Sequence, residues 1–365
     1  MSRKALLVAL GSFGGVAGLL LAVAATVCVS SGCSTVGYYA QSVGGHLAIV
    51  RAARPVTDWL ADDATPAALK ERLRLAQRIR DFAARELGEP DNASYRRYAD
   101  LQRSAAVWNV VAAPELSLTL QTWCFPVVGC VGYRGYYTRA EADGFAQGLR
   151  AQAPTLEVNV YAVPAYSTLG KLPFDAFADP LLNTFIDYPE GELARLIFHE
   201  LAHQIAYAPG DTEFNESFAT TVERLGGTKW LAEQAGAPAR EAYARFDARR
   251  QDFRELTART RDALDALYKG SGSAPDKRAA KQLLMDSLRL DYAALKRERW
   301  AGYSGYDGWF ARANNASFGV MSAYNDLVPN FERLFDREAR SYPRFYAEVK
   351  RLAVLPRDQR RLQLP

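Results

Sequence analysis

The chain has 365 residues, of which 49% are hydrophobic and 24% are charged, and its net charge is +4. The arginines are scattered along the chain and form no basic cluster, which argues against a nucleic-acid partner. No internal repeat or low-complexity run is present, which excludes a solenoid built from short repeats.

The N-terminal segment has the features of a bacterial lipoprotein signal. Residues 1–4 (MSRK) are basic, and no charged residue follows before Arg51. Residues 5–29 are apolar, as in a signal sequence or a single membrane helix. Residues 30–33 (SSGC) resemble a lipobox, although serine stands where leucine is usual. This pattern predicts a lipid on Cys33, with an uncleaved N-terminal helix as the alternative anchor.

The same segment predicts a location in the bacterial cell envelope, with the chain facing the periplasm. Ser34 after the cysteine resembles lipoproteins that are sent to the outer membrane. If Cys28 is removed with the signal and Cys33 carries lipid, Cys124 and Cys130 remain. An oxidising compartment would join these two cysteines in a disulfide. Two free buried thiols are the alternative.

Three elements are predicted before the middle of the chain. A helix begins at residues 65–66 (TP) and ends near Gly88. Residues 156–162 alternate between apolar and polar side chains, which predicts a half-buried strand. Residues 180–187 are predicted to form a second strand.

A His-Glu-x-x-His motif then occupies residues 199–203, and it uses two of the three histidines in the chain. Residues i and i+4 of a helix point the same way, so His199 and His203 can bind one metal ion. Glu200 would lie beside the ion, where it can take a proton from an activated water molecule. The alternative, a pair of ordinary core histidines, leaves the Glu200 carboxylate in an apolar segment without a partner.

A catalytic zinc ion normally has three protein ligands. The cysteines have other predicted roles, and His46 is the one histidine outside the motif. Elimination therefore favours a carboxylate as the third ligand.

The next helix offers two such carboxylates. Residues 209–210 (PG) should end the motif helix about one turn after His203, and a second helix should follow. Glu216 lies about one turn into that second helix, so a short loop could bring it back to the metal. Glu216 is the predicted ligand, and Glu223 is the alternative.

The C-terminal part is predicted to be helical. Residues 240–267 and 276–299 form two long charged helices joined by a break rich in glycine and serine, and this pair is expected to cover one side of the cleft. Residues 303–315, rich in Gly, Tyr and Asn, form a loop that either returns to the site or connects two lobes.

Together these elements predict an α+β, predominantly helical fold. Its zincin-like core has a small sheet packed on the metal-binding helix. Three parts are expected: residues 1–32 as the signal or anchor, residues 33–235 as N-terminal helices with the zinc core, and residues 236–365 as the helical lobe. Residues 165–168 are the candidate for a sheet edge that pairs with a peptide, or for the loop beside that edge.

Residues 215–219 (NESFA) resemble the Asn-Glu-x-x-Ala signature of thermolysin-type and aminopeptidase-type zinc peptidases, with a shorter gap after His203. Other segments together resemble a bacterial family of predicted zinc-dependent aminopeptidases: residues 32–41, 123–126, 133–136, 165–170 and 314–316. This resemblance implies a membrane-associated metallohydrolase. The sequence has no Gly-x-Met-Glu-Asn loop, which in zinc aminopeptidases of known mechanism holds the free amine of the substrate.

These motifs predict a zinc-dependent metallopeptidase that hydrolyses peptide bonds, with one zinc per chain and Glu200 as the general base. A tyrosine is expected to stabilise the oxyanion, and the candidates are Tyr166, Tyr303, Tyr306 and Tyr324. Two alternatives are a zinc amidase that acts on a non-peptide or cell-wall amide, and a catalytically idle envelope protein.

Overall fold

The computed structural model describes residues 33–125, 129–165, 175 and 178–365, without the side chains of residues 33–36 and 322–325. The chain divides into an N-terminal unit that ends at Ile49 and a large unit from Val50 to Pro365. The predicted signal or anchor, residues 1–32, lies outside the described residues. Within the described ranges, no helix has both the length and the apolar character needed to cross a membrane.

Helices dominate the described chain, which confirms the predicted α+β, predominantly helical class. Helix α1 (Cys33–Ala52) begins in the N-terminal unit. The others are α2 (Val56–Ala61), α3 (Ala67–Glu86), α4 (Arg139–Gln152), α5 (Glu190–Ala202), α6 (Thr212–Glu233), α7 (Ala237–Lys269), α8 (Ala274–Glu298), α9 (Asp307–Arg312), α10 (Asn315–Asn325), α11 (Val328–Arg337), α12 (Tyr342–Ala353) and α13 (Arg357–Gln363).

The strands form three small sheets. They are β1 (Arg54–Pro55), β2 (Arg97–Ala99), β3 (Val107–Pro114), β4 (Trp123–Phe125), β5 (Gly129–Val131), β6 (Arg134–Tyr136), β7 (Leu156–Val163) and β8 (Leu181–Leu182). The strand orders are β1-β2-β8, β6-β3-β7 and β4-β5, and only the β2–β8 pair is parallel among these.

The predicted alternation in residues 156–162 is confirmed by β7. This strand pairs with the whole of β3, from Val107 opposite Val163 to Pro114 opposite Leu156. The faces of the sheet pack against α4 and α10. The end of β7 borders α5, since Pro164 and Ala165 line the same cavity as His199.

The strand predicted at residues 180–187 is mostly wrong. Only Leu181 and Leu182 are extended, and the chain then turns, with the amides of Phe185 and Ile186 donating to the carbonyl of Leu182. These apolar residues are all buried. A short apolar run indicates that its residues are buried, but burial alone does not distinguish a strand from a buried turn.

The predicted helices α3, α7 and α8 are confirmed within a few residues. Helix α3 ends where Gly88 takes a φ of +65°, the left-handed conformation typical of a glycine-terminated helix, and the amide of Glu89 donates to the carbonyl of Ala83. Helices α7 and α8 pack against each other and share an aromatic core with Trp300 and Phe310. The predicted lobe boundary at residue 235 falls between α6 and α7.

Candidate metal centre

Helix α5 carries the His-Glu-x-x-His motif with one face in the core. Leu193, Ile197 and Leu201 are fully buried, while His199 and Glu200 line a cavity. The helix begins after Pro189 and ends at Ala202, so that His203 is its C-cap. The expectation of a further helical turn is therefore wrong.

A tight connection replaces that turn. The amide of Gln204 donates to the carbonyl of Leu201, and the side chain of Asn215 bonds both the N–H and the C=O of Ala208. Asn215 is 1% exposed. Its side chain therefore attaches the connecting loop to the first turn of α6 and holds the neighbouring Glu216 in register with α5. Sequence reasoning used Asn215 only as part of a signature and missed this role.

Two further features hold the same connection. Asp211 caps α6 by accepting a hydrogen bond from the amide of Phe214, and it pairs with Arg360. The β4–β5 hairpin packs on the turn before the cap, because a Cβ at Gly129 would lie 2.6 Å from the amide nitrogen of Gly210. These contacts position the start of α6 beside the end of α5.

Three predicted ligand atoms converge at this point. Glu216 Oε2 lies 3.2 Å from His199 Nε2 and 3.7 Å from His203 Nε2, and the two Nε2 atoms are 3.2 Å apart. Ligands bound at about 2.1 Å around a tetrahedral zinc lie roughly 3.4 Å from one another. The separations therefore fit a single zinc ion held by His199, His203 and Glu216.

Glu223 lies on the other side of the His199 ring. Its Oε2 is 3.0 Å from His199 Nδ1, and its Oε1 pairs with Arg195. A carboxylate there accepts from Nδ1–H and leaves Nε2 free for a metal. Burial alone would raise the pKa of Glu223, but the charges of Arg195 and His199 hold it well below its usual value. The geometry thus favours Glu216 over Glu223 as the ligand.

The two histidines have different electrostatic environments. Burial lowers the pKa of His203 to about 4, so its ring is neutral at pH 7, as a metal ligand must be. Burial also disfavours a charged His199, but hydrogen bonds and charges from Glu216 and Glu223 outweigh it and raise its pKa well above the usual value. A metal ion binding here would displace the His199 proton.

Glu200 has the electrostatics of a general base. Burial is the main cause that raises the pKa of its carboxyl group to about 7, and the charge of Glu216 adds to it while His199 opposes it. A pKa near neutrality suits a group that takes up and then releases a proton at pH 7.

The cavity beside the motif has a volume of about 290 Å³. Its described walls come from several elements, among them α6, which contributes Thr220 and Glu223. Helix α5 contributes a face that includes His199 and Glu200, the chain at the end of β7 contributes Pro164 and Ala165, and α7 contributes Arg250 and Arg254. Helix α7 of the predicted lobe therefore forms one side of the cleft.

The predicted oxyanion tyrosines are not among the described residues that line this cavity. Tyr166 and the side chain of Tyr324 lie outside the described part of the chain. Tyr303 and Tyr306 pack in the aromatic core of α7 and α8, where Tyr306 stacks on Phe253 at 4.5 Å. Residues 303–315, predicted as a loop, thus contain helix α9 and contribute aromatic side chains to this core.

Tyr161 on β7, which sequence reasoning overlooked, is close enough to Glu216 to be affected by its charge. Burial is the main cause that raises the pKa of Tyr161 to about 12, the charge of Glu216 acts in the same direction, and a hydrogen bond from Asn109 opposes them. The alternation of β7 marked this residue only as polar, so no local signal distinguished it.

The other predicted sites concern cysteines. Cys124 and Cys130 face each other across the β4–β5 hairpin and are joined in a disulfide. Cys33 is the first residue of α1, and its side chain lies outside the described part. The structure therefore brings the cysteine pair together and leaves the lipid prediction open to experiment.

The chain belongs to the family described as "Putative aminopeptidase", whose model matches residues 37–364. The predicted aminopeptidase family is thereby confirmed, and membership supports a peptidase-like function, while zinc dependence and the lipid anchor stay predictions. No curated protein and no solved structure gives a significant match.

Proposed function

We propose that the protein is a zinc-dependent peptidase. The observation that supports this best is the convergence of His199, His203 and Glu216, whose ligand atoms all lie within 4.8 Å of one another. When bound, zinc supplies a nucleophile from water at neutral pH and polarises the amide carbonyl.

The residues around the ligands have complementary roles in this proposal. Glu200 takes the proton of the attacking water and passes it to the departing amine. Glu223 orients His199 through Nδ1, and Arg195 fixes Glu223 in turn. Asn215 holds the loop that brings Glu216 to the histidines.

Strand β7 offers a place for the substrate backbone. The amide of Glu115 donates to the carbonyl of Thr155, just before β7 begins. Backbone hydrogen bonds alternate along the antiparallel β3–β7 pair, so every second residue of β7 bonds to β3. By this alternation the backbone groups of Val160 and Ala162 point to the outer edge. In the described sheet, β7 is an edge strand. A peptide added to this edge would run beside the cavity.

The direct test is cleavage of a mixed peptide library by the purified zinc-loaded protein, followed by mass spectrometry. We expect shortened peptides with zinc present, no cleavage after removal of the metal with a chelator, and recovery on addition of zinc. Cleavage of isolated cell-wall fragments with no cleavage of peptides would favour the zinc amidase instead. A zinc-loaded protein that cleaves neither substrate would contradict the proposal.

We also propose that the enzyme is tethered to the bacterial envelope by a lipid on Cys33. The support is the basic and apolar segment that ends in Gly32-Cys33, together with a Cys124–Cys130 disulfide that suits an oxidising compartment. Mass spectrometry of the mature N-terminus should show residues 1–32 removed and acyl chains on Cys33.

The matched variant is Cys33→Ala, which should block processing and leave a heavier precursor held by its apolar segment. Several acyl chains anchor a protein firmly, whereas one chain binds only marginally. An intact Met1 or Ser2 on the wild-type protein would show an uncleaved membrane helix and exclude the lipid.

A further inference from the structure

Three arginines line the cavity beside His199. Arg195 lies one helical turn before His199 on α5, and Arg250 and Arg254 lie one turn apart on α7. The cavity wall therefore brings three arginine side chains, together with the carboxylates of Glu192, Glu200 and Glu223, next to the proposed zinc ligands.

Two of these arginines are paired with carboxylates. Arg195 pairs with Glu223 and lies 3.6 Å from Asp247. Arg250 pairs with Glu192 at 2.9 Å and with Asp247. These pairs occupy all three carboxylates, and they account for the positions of Arg195 and Arg250.

Arg254 is different. Within the described part of the chain, its guanidinium has no hydrogen bond and no ion pair, although it is partly buried in the cavity wall. Burial is the main cause that lowers its pKa to about 10, the positive charges of Arg250 and Arg195 act in the same direction and the charge of Glu223 opposes them, and the group is still a cation at neutral pH. A partly desolvated charge without a partner is unfavourable, and an anion in the cavity would relieve it.

Among the described residues that line the same cavity, each carboxylate already has an arginine partner or a proposed role in proton transfer. Of its described carboxylates, Glu192 and Glu223 are bound to arginines, and Glu200 is the proposed base. An ammonium group would therefore meet Arg254 and two carboxylates that each already pair with an arginine. Arg254 has no pairing carboxylate among the described residues, and its charge favours a negatively charged substrate group beside it.

We propose that Arg254 binds a carboxylate of the substrate, close to the amide bond that Glu200 and His199 face. The proposal rests on the peptidase function and specifies its substrate class, namely peptides with a carboxylate near the cleaved bond. A planar guanidinium pairs with a carboxylate through two parallel hydrogen bonds, which fixes orientation as well as charge. The carboxylate is either the C-terminal one or that of an acidic side chain.

Three capped peptides distinguish these sources: N-acetyl-Gly-Phe, its C-terminal amide, and N-acetyl-Gly-Glu with the α-carboxyl amidated. Calorimetry on the zinc-loaded Glu200→Gln protein should show that at least one carboxylate peptide binds about 10- to 100-fold more tightly than the uncharged amide. The preferred peptide identifies the source. In metal-free protein, where direct zinc–carboxylate contact is absent, the carboxylate peptide should still bind more tightly than the uncharged amide.

Arg254→Gln should remove this preference, and Arg254→Lys should retain part of it. Arg245→Gln is the matched control, since Arg245 is an exposed residue of the same helix and should keep the preference. Because Arg254 has no partner among the described residues, Arg254→Gln should leave the melting temperature unchanged or raise it.

Equal binding of all three peptides, or a preference that survives in Arg254→Gln, would overturn the proposal. A clear fall in melting temperature together with an unchanged preference would assign Arg254 a structural role. If the peptidase proposal alone is wrong, the result is different: Arg254-dependent binding of the carboxylate peptide persists while no peptide is cleaved.

Discussion

His203→Ala and Glu216→Ala should each leave the purified protein with far less than the one zinc per chain expected of the wild type. Each change removes one of three atoms whose separations fit a single ion. Two ligands hold zinc much less well than three. Elemental analysis by inductively coupled plasma mass spectrometry after dialysis measures the effect directly.

Glu223→Ala should behave differently, with zinc affinity falling about 10- to 100-fold because Glu223 orients His199 and does not reach the metal position. Glu233→Ala, at the exposed end of the same helix, is the control and should retain full zinc. Loss of metal in the Glu223 variant together with retention in the Glu216 variant would reverse the ligand assignment.

Glu200→Gln should lower peptide hydrolysis by about 10²-fold or more while zinc content and fold stay as in the wild type. The amide keeps the shape of the side chain but cannot accept the proton of the attacking water. Steady-state rates on a cleaved peptide, with zinc content measured in the same samples, test this expectation. Turnover equal to the wild type would remove Glu200 from the mechanism.

Glu190→Gln is the matched control, because Glu190 is in the first turn of the same helix and bonds Trp230, away from the motif. The pH profile gives a second measurement. The base must be ionised, and burial raises the pKa of Glu200 to about 7, while a bound cation would lower it. Wild-type activity should therefore fall as the pH drops below neutrality, and this acidic limb should be lost in the residual activity of Glu200→Gln.

The features that the sequence determined are those that local periodicity encodes. A spacing of four residues between His199 and His203 places both rings on one face of any helix. The alternation in β7 and the long amphipathic repeats of α7 and α8 could also be predicted from the sequence, because each pattern is defined by residues a few positions apart. The loop residues 209–210 likewise separate α5 from α6 through the conformational limits of proline and glycine.

The choice between Glu216 and Glu223 depended on tertiary structure. The two residues are seven positions apart on α6, which is almost two full turns, so they share a face and helical periodicity alone does not distinguish them. Which one reaches His199 Nε2 depends on how far α6 is shifted along α5. That shift is set by Asn215 bonded to Ala208, and by the hairpin packed against Gly210.

Tertiary packing also decides the placement of Arg254 in the cavity wall and of Tyr161 beside the ligands. Arg254 follows His199 by 55 residues, and it lines the cavity only because α7 packs against α5. That Arg254 has no ion-pair partner among the described residues appears only when the ion pairs of Arg195 and Arg250 are resolved in space. Hydrophobic periodicity determines which face of each element is buried, whereas the relative placement of those faces is decided by the side-chain packing between distant segments.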